Sequence, residues 1–175
     1  MEKLLIYELN EFPKRLLKEY ISLKPKSTLA YIFNKGILKK TITTDYGELH
    51  PWSTWPTFYR GVDNSQHGLK FINQDKTFAE KNYPPIWTIL ANNGISIGIF
   101  GSLQSYPPPD FENINFYLPD TFAPNSDAIP EILSSFQDFN LNIVGNNNSF
   151  FIGSILAIIV CFLKIQSYGK ILMGN

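Results

Sequence analysis

The run Leu4-Leu-Ile-Tyr-Glu-Leu9 is short, nearly continuous in apolar residues, and followed at once by polar Asn10 and Glu11. A run of that kind predicts a strand buried on both faces, and such strands belong to parallel sheets covered by helices. In open α/β sheets ligands bind beyond the carboxyl ends of the strands, so Asn10 and Glu11 fall where chemistry is expected. Helical spacing comes next. Leu16, Leu17, Tyr20 and Ile21 share one face of Lys14–Leu23, Pro13 suits its first turn and Pro25 ends it. Thr28–Lys35 reads as a second helix or turn, with Gly36 as its cap.

The same alternation continues. Lys40–Asp45 is rich in β-branched residues and predicts a strand leading into a loop over 46–51. Thr57–Gly61 reads as a short helix with Pro56 near its first turn, and Pro84–Asn93 as a helix opened by proline and closed by Gly94. Ile95–Phe100 alternates and ends at Gly101, which predicts a strand. Tyr106-Pro-Pro-Pro-Asp110 is an irregular loop, Asn115–Leu118 a third strand, and Asp127–Asp138 a helix with Pro130 early in it. Strands alternating with helices predict an α/β fold with a mainly parallel sheet.

Composition narrows the function classes. With 175 residues, 44% apolar and 15% aromatic, the chain has the make-up of a globular protein with a real core. Fifteen basic residues balance fifteen acidic ones, so no charge excess points to nucleic acid. Cys161 is the single cysteine; it offers neither an internal disulfide nor a zinc cluster. The N-terminal apolar run is too short for a signal peptide and is broken by Glu8, which makes a cytoplasmic location the expectation. A polar break, Gly145–Ser149, separates residues 1–145 from a C-terminal segment, 149–175. Within it Phe150–Leu163 is uncharged over fourteen residues. A spanning helix needs about 20, so the run reads as a helix packed on protein, with membrane contact as the alternative.

The densest chemistry lies in His50-Pro-Trp-Ser-Thr-Trp-Pro-Thr-Phe-Tyr-Arg-Gly-Val-Asp-Asn-Ser-Gln-His-Gly-Leu69. Thr54 stands two residues before Pro56, Gly61 follows, and His67-Gly68 comes after it. Taken locally, Ser53, Thr54 and Thr57 read as capping residues in a Trp/Pro-rich loop. A hydroxyl at a helix N-terminus also sits where unpaired N–H groups receive a phosphate or sulfate. Arg60 reads as a structural or solvated cation or as an anion ligand, Trp52 and Trp55 as packing anchors or pocket walls, and His50 as a loop residue or a ligand. Asp120 reads as a turn or cap, or as a catalytic residue.

This ordered set resembles the nucleophile segment of the alkaline phosphatase superfamily, which includes sulfatases and type I phosphodiesterases. The resemblance covers residues 1 to about 140 and takes in Leu5–Glu11, Thr54-x-Pro56, Gly61, His67-Gly68, Pro84–Trp87, Tyr106–Pro109 and Pro119–Phe122. It implies a three-layer αβα sandwich, C-terminally incomplete here, and a metal-dependent hydrolase of phosphate esters, less favourably of sulfate esters, acting on an anionic ester substrate. Thr54 is the implied nucleophile. Asn10, Glu11 and Thr54 are the implied metal ligands, for a divalent ion that in the family is zinc or manganese. Asn10 stands where the family has an Asp, and Glu11 or Glu8 would supply the missing charge. His67-Gly68 is usually structural in the family and shapes the chain after the nucleophile helix. The chain holds two histidines and no Asp-His pair, so the remaining ligands would come from a complementary C-terminal half, without which the protein would be inactive or nearly so, binding metal poorly and showing little turnover. Two other readings stand beside this one: a non-catalytic α/β binding or interaction module, and a membrane-associated protein anchored by 150–163.

Overall fold

The computed structural model describes residues 3–145. The chain divides into two compact units, Met1–Thr44 and Asp45–Asn175. The apolar run 150–163, with Cys161, lies outside the described residues. Among those that are described, no helix is long and apolar enough to cross a membrane.

The first unit carries two helices, α1 (Lys14–Leu23) and α2 (Thr28–Lys35), at the positions their apolar spacing predicts. Pro13 is the N-cap of α1 rather than a residue of its first turn. Ser27 caps α2, its hydroxyl oxygen accepting the Ala30 N–H at 3.1 Å. Gly36 closes α2 with its N–H on the Ile32 carbonyl at 2.7 Å; a Cβ there would lie 2.8 Å from that oxygen, so the approach requires glycine. The two strands expected in this unit do not form. Leu4–Leu9 is irregular, and Leu4 and Leu5 are more than four-fifths exposed. Lys40–Asp45 is irregular as well. An apolar run becomes a parallel strand only when a neighbouring strand takes up its backbone groups, and the described residues of this unit supply none.

The second unit is built on α3 (Pro51–Arg60), α4 (Asn64–His67), α5 (Thr77–Asn82), α6 (Ile86–Asn92), strands β1 (Ile97–Phe100) and β2 (Ile114–Leu118), a single 3-10 turn (Glu131–Leu133) and α7 (Ser134–Gly145). β1 and β2 pair in parallel, with Gly98 opposite Phe116 and Phe100 opposite Leu118. The described chain is thus mixed α/β with a small two-stranded parallel sheet and seven helices. Its core joins Tyr59 of α3, Trp87 and Ala91 of α6, Ile97 of β1 and Tyr117 of β2. Tyr59 and Trp87 are ring to ring at 4.9 Å, and Trp55 stacks on Tyr59 at 5.9 Å. Aromatic burial at this scale dominates the energetics of a small core.

Two helices start elsewhere than the sequence suggests. α3 begins at Pro51, six residues before the expected Thr57, so Pro56 lies inside the helix instead of near its start. The helix expected from Asp127 is replaced by an extended Ile129, which exchanges two backbone hydrogen bonds with Tyr117 at 2.6 and 2.8 Å. Pro130 disfavours helical backbone at the residue before it, so helical structure begins only after it.

Candidate active site on helix α3

Proline in a helix interior removes one N–H and leaves the carbonyl four residues earlier without its intrahelical donor. For Pro56 that carbonyl belongs to Trp52, and the side-chain amide of Gln104 donates to it. Gln104 holds a left-handed backbone, φ 60°, which brings its amide there. The helix therefore survives its proline through a contact from a residue 52 positions away. The other end is closed by Gly61 at φ 68°, its N–H on the Thr57 carbonyl at 2.9 Å.

Thr54 sits one turn into α3 and is half-buried. Its backbone N–H is bonded to the His50 carbonyl at 2.9 Å, and its hydroxyl donates to the same oxygen at 3.1 Å. Thr54 thus lies near the N-terminus of α3, with its own N–H already in the helical ladder. His50 is the N-cap residue; its ring stacks on Trp52 at 4.9 Å and meets Glu48 Oε2 through Nε2 at 3.3 Å. Trp55 faces the core, in keeping with a packing anchor.

The most connected hydroxyl of the helix is that of Thr57, which read from the sequence only as a capping residue. Thr57 Oγ1 donates to Asp45 Oδ1 at 2.6 Å, lies 3.2 Å from the Ser53 carbonyl and is 2.9 Å from His67 Nε2. Asp45 Oδ1 also accepts the Asn64 N–H at 2.8 Å. Asn64 completes the knot, donating to the Tyr46 carbonyl and Ser53 Oγ and accepting the Tyr46 N–H. His67 is 1% exposed, and its Nδ1 accepts the Leu69 N–H at 3.0 Å. Burial, with Arg60 adding to it, pushes the imidazole pKa down, so the ring is neutral. A neutral ring whose Nδ1 accepts must carry its proton on Nε2, and Nε2 therefore donates to Thr57. The chain of donors runs His67 to Thr57 to Asp45. A base that activates a hydroxyl must accept its proton; this arrangement is the reverse and serves to hold the turn.

Arg60 plays the structural role rather than that of an anion ligand. Its guanidinium donates to the carbonyls of Ala79 and Tyr83 and to Glu80 Oε1 at 2.6 Å, tying the end of α3 to α5. Asp120 is 5% exposed and caps its own turn through the Phe122 N–H at 2.8 Å. Burial raises its pKa against that hydrogen bond and the nearby Lys76. Lys76 donates to the carbonyls of Gln104 and Tyr106, and its own burial lowers the ammonium pKa.

Asn10 and Glu11 form an exposed turn of the first unit, Glu11 at φ 54°, while Thr54 belongs to the second. Among the described residues no three His, Cys, Asp or Glu side chains gather into a group that could hold a metal ion. The knot around Thr57 was hard to read from the sequence, because Asp45 is twelve residues from Thr57 and ends a run that reads as a strand. Comparison with protein-family models, with curated proteins and with solved structures finds no match.

Proposed function

We propose that the second unit carries the nucleophile segment of a phosphoric ester hydrolase of the alkaline phosphatase type, with Thr54 as the nucleophile. One observation carries this reading. The ordered elements Thr54-x-Pro56, Gly61 and His67-Gly68 fold as one continuous device: a helix, a left-handed glycine, a short helix and a second left-handed glycine at φ 74°. His67 within it is buried and structural, as the resemblance implies. In this reading the sheet extends beyond β1 and β2 into a three-layer sandwich, and a divalent metal would complete the site with ligands from outside the described residues. The Thr54 oxygen forms a bond to phosphorus and the alcohol of the ester leaves. Water then releases phosphate and restores the hydroxyl. Phosphorus is favoured over sulfur because threonine cannot be converted into the formylglycine that sulfatases use.

The test is turnover of p-nitrophenyl phosphate and bis-p-nitrophenyl phosphate by the full chain with added Mn²⁺ or Zn²⁺, alongside mass spectrometry of acid-quenched protein. Slow turnover is expected, with phosphate found on Thr54, lost in Thr54→Ala and partly kept in Thr54→Ser. Turnover by Thr54→Ala equal to wild type removes the nucleophile assignment. No turnover and no phosphothreonine with either metal or ester favours the second reading, a non-catalytic binding module. That reading is supported by the engagement of both the N–H and the hydroxyl of Thr54 with His50.

A further inference from the structure

A cleft of about 870 Å³ opens in the second unit, between the segment before and along α5 and the loops that follow β1 and β2. Ligand clefts of small molecules fall in this size range, and they are mostly apolar with a few fixed polar groups and titratable residues of shifted pKa. Ile72, Leu103 and Phe122 give the apolar wall, and Lys76, Lys81 and Asp120 the polar one. Within this lining, burial moves the pKa values of Lys76 and Asp120 towards the neutral form.

The charges identify the class of ligand. Glu80 at the wall is paired with Arg60, Asp75 Oδ1 holds the N–H and hydroxyl of Thr77, and Asp120 Oδ1 holds the Phe122 N–H. With Glu80 neutralised by Arg60, two acidic groups, Asp75 and Asp120, face two basic ones, Lys76 and Lys81. No surplus of either sign remains to select an anion or a cation. Lys76 spends two donors on the carbonyls of Gln104 and Tyr106, and an ammonium has three. What the wall offers is donors and acceptors side by side, next to the half-exposed ring of Phe122 and to Tyr106, whose hydroxyl is fixed by Asp127 Oδ2 at 3.1 Å. A neutral ligand with hydroxyls along its edge and an apolar face fits both halves of that wall.

We propose that this cleft binds a neutral sugar ring, its C–H face on Phe122 and its hydroxyls on Lys76, Lys81 and the acidic groups of the wall. The site is separate from Thr54 and does not depend on the hydrolase reading.

The experiment is saturation-transfer NMR and calorimetry on the full chain with methyl glucoside, methyl galactoside and N-acetylglucosamine. Inorganic phosphate and a small alkylamine serve as charged comparisons. Binding of at least one sugar, tighter than either charged probe, is expected. Phe122→Ala should weaken it tenfold or more and the exposed Lys81→Ala several-fold, with Thr54→Ala unchanged. Melting curves establish that each variant is folded, and Lys81→Ala decides the case if Phe122→Ala is not. Tighter binding of phosphate or the amine overturns the proposal, as does binding of none of the sugars or sugar binding indifferent to both cleft variants. Loss of hydrolysis in Thr54→Ala leaves sugar binding unaffected, so the two readings fail separately.

Discussion

The side-chain amide of Gln104 donates to the main-chain carbonyl of Trp52, the carbonyl that Pro56 leaves without an intrahelical donor. A loop residue in left-handed conformation thereby completes the helix that holds Thr54 and Thr57. Gln104→Ala strands that carbonyl and should cost about 1–3 kcal/mol. Pro56→Ala restores an N–H four residues on. In the double variant the loss from Gln104→Ala should shrink, and a double-mutant cycle by urea denaturation measures the coupling. Additive effects would mean that the two residues do not share the Trp52 carbonyl.

Thr54 and Thr57 lie three residues apart and should answer mutation differently. Thr57→Ala removes a hydroxyl that serves Asp45 and His67 together, and should destabilise by about 2–3 kcal/mol. Thr54→Ala removes one hydrogen bond to a carbonyl already bonded by an N–H, and should cost no more than about 1 kcal/mol. Thermal unfolding of both variants checks the order. Equal losses would place Thr54 in the folding knot and weaken its separation as a functional residue.

His67 makes stability depend on pH. Its folded pKa is lowered by burial, so the unfolded chain binds the proton first as pH falls. The contribution of the neutral ring is complete above about 6.5, the unfolded value, and is lost as pH falls from there towards the folded pKa, at up to about 1.4 kcal/mol per pH unit. Protonation also removes the acceptor of the Leu69 N–H. Asp120, raised by burial, works in the opposite sense, so wild type and a His67 variant are compared at each pH to isolate the imidazole. His67→Gln should unfold more easily at pH 7.5 and show a flatter profile. A wild-type profile with no slope below 6.5 counts against a neutral buried imidazole.

Gly98 lies under the ring of Phe116 on the neighbouring strand; a Cβ there would approach the ring edge to 2.3 Å. Gly98→Ala forces Phe116 aside and should cost about 1–3 kcal/mol, although alanine is the better residue for an ordinary strand position. Gly98→Ala/Phe116→Leu should recover part of the loss. Chemical denaturation reads both, and a Gly98→Ala protein as stable as wild type would show that the ring moves at no cost.

Features that depend on local pattern were legible in the order of residues alone. Helical spacing placed α1 and α2 at the residues observed, Pro85 and Gly94 bracket α6, and the alternating run gave β1. Gly94, read as the residue that closes α6, has φ 72°, where the missing Cβ lowers the cost of positive φ. Tertiary structure decided the rest. Leu4–Leu9 has the composition of a buried strand, but a strand is a relation between two segments, and no second strand forms among the described residues of its unit. Pro56 reads as a helix start until Gln104 supplies the donor that lets α3 run through it. Thr54 carries the sequence motif, whereas Thr57 is the hydroxyl that Asp45 and His67 converge on. Those contacts join residues ten or more positions apart, so no local periodicity records them.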